Sequence, residues 1–214
     1  MIYTNKQYFT FCEKLIEFQN FFEFSEGKIY DKNTGTAISN EIADLVINSE
    51  NPINLTEFYQ ITMASPKHLL VIYNLMTFLA SLLKLKGFRI HSENCHIFIK
   101  KDNKYRVPDA VIVNKNEQKL NENSQLENPF GIVEVLSAST KNVDLIAKVE
   151  EYQSIESLQE YVIIWQDQPK ILQYSRLNNH WIKTEYEGLN DILTFDSLEI
   201  SLSLKVLYED VAFE

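Results

Sequence analysis

Apolar positions along this chain recur with two different periods. In residues 66–86 the polar side chains Asn74, Thr77, Ser81 and Lys84 return at three- and four-residue steps among apolar ones, the signature of a helix with apolar side chains over most of its circumference. The pattern predicts a helix buried on nearly all sides, ending near Gly87 with Lys84 and Lys86 in its last turns. Shorter apolar runs between turn signals read as strands. Residues 88–100 are expected to be extended, Asp102-Asn103 to turn, and residues 105–113 to return as a strand. Further strands are expected over residues 130–136 and 161–165 and around 171–175 and 181–186, with a helix at about 142–153.

Upstream, closely spaced aromatics predict a helix over residues 6–22, and Phe-Glu-Phe-Ser-Glu-Gly-Lys-Ile-Tyr predicts a hairpin turning at residues 25–27. Signals in residues 31–62 are weaker: Ser39 or Asn40 caps a short helix starting at Glu41, and Asn51-Pro52 breaks it. This stretch reads as an insertion or peripheral layer. Strands interleaved with helices predict a mixed α/β fold around a central sheet, without internal repeats.

Composition narrows the class. The chain has 214 residues, 45% hydrophobic and 12% aromatic, enough for a substantial core in one domain. The apolar stretch of residues 69–83 is short for a membrane span and carries polar side chains, and the first residues lack a secretory pattern, so the expected location is the cytoplasm. Cys12 and Cys95 have neither metal-site nor disulfide-framework spacing and read as reduced and structural. A formal charge of −10 argues against coating nucleic acid by bulk electrostatics. It leaves room for a local basic strip, and Lys84, Lys86, Arg89, Lys100, Lys101, Lys104 and Arg106 are concentrated just before Asp109.

The informative interruption is Glu134, inside the run Phe-Gly-Ile-Val-Glu-Val-Leu. A buried carboxylate is costly unless paired or bound to a metal. Strand alternation puts Ile132, Glu134 and Leu136 on one face and Val133 and Val135 on the other. Asp109 opens the run Pro-Asp-Ala-Val-Ile-Val, and on a neighbouring strand it would converge with Glu134, with the main-chain carbonyl of Val135 as a third oxygen. Such a set, completed by water, suits Mg²⁺ or Mn²⁺. Asp144, Lys148 and Tyr152, spaced by four on the following helix, share one face that can line the same pocket. There a lysine positions the attacking water or stabilises charge on a scissile phosphate, while the metal activates water and polarises the phosphoryl oxygen.

Val-Pro-Asp-Ala-Val-Ile-Val, Gly-Ile-Val-Glu-Val-Leu-Ser-Ala-Ser-Thr, the series Asp144, Lys148, Tyr152, and Gln-Glu-Tyr-Val-Ile-Ile-Trp together resemble the bacterial putative restriction endonuclease family of the PD-(D/E)XK nuclease superfamily. The early hairpin and Ala-Ser-Pro-Lys-His, at the start of the long helix, extend the resemblance. It implies a restriction-endonuclease-like α/β fold, a central mixed sheet flanked by helices, in a single domain over residues 1–214. By the resemblance Asp109 is the motif's first acid and Glu134 its second, and Glu23 matches a further family acid. Leu136 stands where the superfamily has its lysine, which points to Lys148 as the migrated lysine. The implied activity is Mg²⁺-dependent phosphodiester hydrolysis, with DNA preferred over RNA as substrate.

Blander readings compete. Asp109 alone suits a strand-edge acid, Glu134 a structural pair with Lys148 or Arg106, and Lys148 a solvated helix lysine. His68 and His91 read as core or helix-start histidines, and Ser137, Ser139 and Thr140 as helix caps. The basic stretch suits a hairpin tip kept soluble by lysines. The competing functional class is an inactive nuclease-fold interaction module. Too little polar surface on the 66–86 helix also predicts a symmetric homodimer.

Overall fold

The computed structural model describes residues 2–57, 59–60, 63–92, 95–136 and 144–213, with backbone only over residues 144–147. In chain order the elements are α1 (Asn5–Lys14), β1 (Phe22–Ser25), β2 (Lys28–Asp31), α2 (Asn40–Ile47), α3 (Pro66–Leu85), β3 (Phe88–Ser92), β4 (Ile97–Ile99), β5 (Lys104–Arg106) and β6 (Ala110–Asn114). Then come β7 (Gly131–Leu136), α4 (Asp144–Gln153), β8 (Glu160–Trp165), β9 (Lys170–Leu177), β10 (His180–Glu187), β11 (Ile192–Phe195), β12 (Ile200–Ser203) and α5 (Leu204–Leu207).

The fold is mixed α/β. A six-stranded sheet runs β10-β9-β8-β7-β6-β3, antiparallel throughout except for the parallel pair β7 and β8, whose crossover contains α4. One face carries Ala110, Ile112, Val133, Val135, Val162 and Ile164 and packs on α3, the β11–β12 hairpin and α5. The opposite face carries Val111, Val113, Ile132, Leu136, Tyr161 and Ile163 and packs on Tyr152 of α4 and on β4. Burial on both faces explains why β7 and β8 read as continuous apolar runs. A second sheet, β2-β1-β5-β4, is covered by α1 and α2 over an aromatic core built on Tyr8, Phe11, Phe22, Phe24 and Tyr105.

Local chemistry sets the element ends. Ser65 caps α3 by accepting from the His68 N–H, Pro66 opens its first turn, and Gly87 takes φ 84° just beyond its end. Ser39 caps α2 through the Ile42 N–H. The β1–β2 hairpin closes on Glu26 and Gly27 with φ 53° and 72°, the two left-handed positions of a type I′ turn.

Four expectations change. Residues 88–100 and 105–113 each divide into two strands that belong to different sheets. Between β5 and β6 the Val107 N–H donates to Glu23 and Pro108 has no N–H to give, so neither sheet's ladder continues through the pair. The N-terminal helix stops at Lys14 because the chain turns extended at Leu15, and the Ile16 N–H bonds the Ile53 carbonyl. Finally, α3 buries one face only, through Val71, Ile72, Leu75, Leu79 and Leu83, and leaves Leu69, Tyr73 and Leu85 at 50%, 65% and 84% exposure. At 20 residues it also reaches membrane-spanning length, although its inner face is packed on the sheet.

Candidate active site

The register of the central sheet brings the two acids together. Ala110 pairs with Val133 across the antiparallel β6–β7 ladder, so Asp109, one step earlier, stands opposite Glu134, one step later. Both therefore leave the sheet on the face that packs against α4. The Val135 N–H donates to Asp109 Oδ2 at 2.7 Å. In a strand, the N–H and C=O of one residue leave toward the same neighbour, which directs the Val135 carbonyl at the Asp109 edge as well.

Helix α4 brings the lysine. Lys148 Nζ lies 3.2 Å from Glu134 Oε1, and the Tyr152 hydroxyl, one turn on, donates to the same oxygen at 2.7 Å. The side chain of Asp144 and the proposed capping residues Ser137, Ser139 and Thr140 lie outside the described residues. Asp109, Glu134 and Lys148 thus converge, but in a nearly closed site where they are 3%, 5% and 4% exposed, rather than in a partly open pocket.

Three further residues enter the site. Glu23, in β1, holds Lys148 at 3.8 Å and Arg106 at 2.9 Å, and accepts from the Val107 N–H. His68, in the first turn of α3, has its Nε2 3.4 Å from Asp109 Oδ1, so this helix-start histidine also reaches the acid. Lys32, just past β2, puts its ammonium 2.8 Å from Asp109 Oδ1. Nothing local in the sequence singles out Lys32; only its charge among polar neighbours is visible there.

The cluster continues outward. Arg106 binds Glu151 through Nε at 2.9 Å, and Lys104 binds Glu151 at 2.7 Å. Lys104 and Arg106 are therefore engaged as ion-pair partners, whereas Lys100 and Lys101, at the β4–β5 tip, are exposed, as are Lys84, Lys86 and Arg89 at the end of α3 and in β3.

The electrostatics follow from burial and pairing. Burial alone would raise the Asp109 carboxyl, but Lys32 and His68 outweigh it and hold Asp109 well below the usual carboxylate range. Burial, reinforced by Asp109, raises Glu134 despite the opposing Lys148. Glu23 is lowered, because Lys148 and Arg106 overcome its burial. Lys32 is held above its ordinary value, since Asp109 and Glu134 outweigh the burial that would deprotonate it.

The oxygen chemistry suits a hard divalent cation: two carboxylates and one main-chain carbonyl, with water supplying the remaining positions. Among the described residues no group of three or more His, Cys, Asp or Glu side chains gathers as a metal cage, so protein side chains alone would not complete the shell. That Asp109 already binds a cationic group shows the position favours positive charge.

Comparison with known proteins agrees with this architecture. The model of the Uma2 family, described as putative restriction endonuclease, matches residues 53–207. The uncharacterized protein sll1609 of Synechocystis sp. is 29% identical over 166 residues, covering 74% of this chain and 93% of its own. A crystal structure of a putative nuclease belonging to DUF820 from Anabaena variabilis superposes with a TM-score of 0.65 at 16% identity, covering 94% of this chain and 96% of that one. At that identity the likeness establishes a shared fold.

Proposed function

This chain belongs to the Uma2 family of putative restriction endonucleases, and from that premise we propose that it is a metal-dependent endonuclease acting on nucleic-acid phosphodiesters, DNA in preference to RNA. The carrying observation is the placement of Asp109 and Glu134 opposite each other on two central strands, with Lys148 at 3.2 Å from Glu134. Asp109, Glu134 and the Val135 carbonyl would hold Mg²⁺ or Mn²⁺. Such an ion, when bound, supplies a polarised phosphoryl oxygen and a water of lowered pKa.

The chain's own residues do the rest. Lys148 is a fixed positive charge beside the acids, placed to meet the negative charge that grows on a phosphate in the transition state. Glu23 and Tyr152 orient it: Glu23 draws on the ammonium from β1, and Tyr152 occupies the Glu134 oxygen that Lys148 also uses. We place the activity in the cytoplasm, on nucleic acid rather than at a membrane.

The test is a cleavage assay on several nucleic-acid forms, paired with Mn²⁺ titration. Asp109→Ala and Glu134→Ala are expected to lose both cleavage and metal binding, and Lys148→Ala to lose cleavage while keeping metal. Equal activity in wild type and all three variants, free of contaminating nuclease, refutes the assignment. A second reading, an inactive interaction module, is favoured by one observation: each acid already has a cationic partner, Lys32 for Asp109 and Lys148 for Glu134. Absence of cleavage by wild type in every metal and substrate tried would select it.

A further inference from the structure

The site is electrically balanced by the protein itself. Asp109, Glu134, Glu23 and Glu151 are matched one for one by Lys32, Lys148, Arg106 and Lys104, through contacts of 2.7 to 3.8 Å. A divalent ion added to this set would leave two buried positive charges without counter-charge, and uncompensated charge in a low-dielectric site is costly. One cation has to leave, or an anion has to arrive.

Lys32 is the cation placed to leave. Lys148 and Arg106 are each gripped by more than one group: Glu134 and Glu23 hold the first, Glu23 and Glu151 the second. The Lys32 ammonium, by contrast, sits on Asp109 Oδ1, the carboxylate oxygen not taken by the Val135 N–H. It is also carried by the chain just past the β1–β2 hairpin rather than by a strand or helix of the central layer. Beside it is a cavity of about 30 Å³ lined by Asn20, Asn33, His68 and Asp109, with room for a water-sized guest. Lys32 therefore both engages Asp109 and lines the cavity beside it.

We propose that Lys32 is a built-in competitor of the divalent ion: it holds Asp109 in the metal-free protein and is displaced when metal binds, freeing its ammonium to face an incoming phosphate. Metal and polyanion then bind cooperatively, because the phosphate supplies the counter-charge that the balanced cluster lacks. This rests on the reading of Asp109 as a metal ligand.

Isothermal titration with Mn²⁺ on the full-length chain tests it, comparing wild type, Lys32→Met, Lys32→Arg and Asp109→Asn. Lys32→Met is expected to bind Mn²⁺ at least about tenfold more tightly than wild type, since the pair need no longer be broken. The same variant should melt at a lower temperature without metal, because Asp109 is left facing Glu134. Lys32→Arg, which keeps the charge, should bind as wild type does. If wild type and Lys32→Met bind equally while Asp109→Asn does not bind, the competitor role is wrong and the metal reading stands. If none binds, or Asp109→Asn binds as wild type does, the metal reading falls and takes the competitor role with it. Should Lys32→Met not fold, ¹⁵N spectra of wild-type lysine ammonium groups decide: the protected Lys32 signal should vanish on adding Mg²⁺, and its persistence at saturating Mg²⁺ overturns the proposal.

Discussion

Glu160 and Glu134 are both glutamates buried in adjacent strands of the central sheet, yet they are held by different chemistry. Glu134 has a lysine and a tyrosine; Glu160 has neutral donors, Gln173, Ser175 and Ser197. Burial raises the Glu160 carboxyl, and those hydrogen bonds only partly offset it. A carboxyl whose folded pKa lies above its unfolded one contributes stability that is complete below the unfolded value and lost as pH rises through the folded value. Stability should therefore decline on that account from about pH 4.3 upward. In urea titrations the gap between Glu160→Gln and wild type should favour the variant more at pH 7.5 than at pH 4; a gap independent of pH counts against it. Sequence makes Glu134 stand out because a charge interrupts an apolar strand on both sides. Lys32 offers no such contrast, since a lysine in a polar stretch is the commonest of surface residues and its partner lies far along the chain. The acids were legible through their strands, whereas their counter-ions depended on tertiary placement.

The β4–β5 hairpin shows how one short element divides its charges. Lys100 and Lys101 stand exposed at the turn, whereas Lys104, at the start of β5, is drawn inward by Glu151. The two sets should respond differently to charge reversal. Replacing Lys100 and Lys101 with Glu should leave the fold intact and, if the tip meets DNA, lower the slope of log affinity against log salt by up to roughly 1.8. Lys104→Glu instead sets a third carboxylate beside Glu151 and Glu26 and should destabilise by about 1–2 kcal/mol in denaturant unfolding, because Arg106 still pairs with Glu151. An unchanged salt slope in the first variant would move the substrate groove elsewhere, and an undiminished stability in the second would discount the ion pair. Charge and turn residues were enough to find this hairpin from the sequence. Its sheet was not, because Pro108 breaks the ladder without interrupting the apolar pattern, so two strands of different sheets read as one.

At the scale of the whole molecule, the outer face of α3 is the conspicuous apolar surface, with Leu69 and Tyr73 exposed beside a groove of about 480 Å³ that reaches Val206. We expect this face to support a symmetric dimer. Sedimentation at micromolar concentration should show a dimer that Tyr73→Glu converts to monomer, and a monomeric wild type would count against it. The layered α/β plan was legible because strand and helix periods differ, while the C-terminal β11–β12 cover, made of short elements, carried too weak a period to announce itself. The cluster around Asp109 draws on Glu23 near one end of the chain, on β6 and β7 in the middle, and on α4 beyond them. Contacts so distant in sequence form only after the intervening pieces exist and have docked. A chain still being made therefore holds its acids but not its lysine, and one that has made its lysine still has to seat Glu23 against it. Under the proposed nuclease activity, that order amounts to a safety catch, released only by the finished fold.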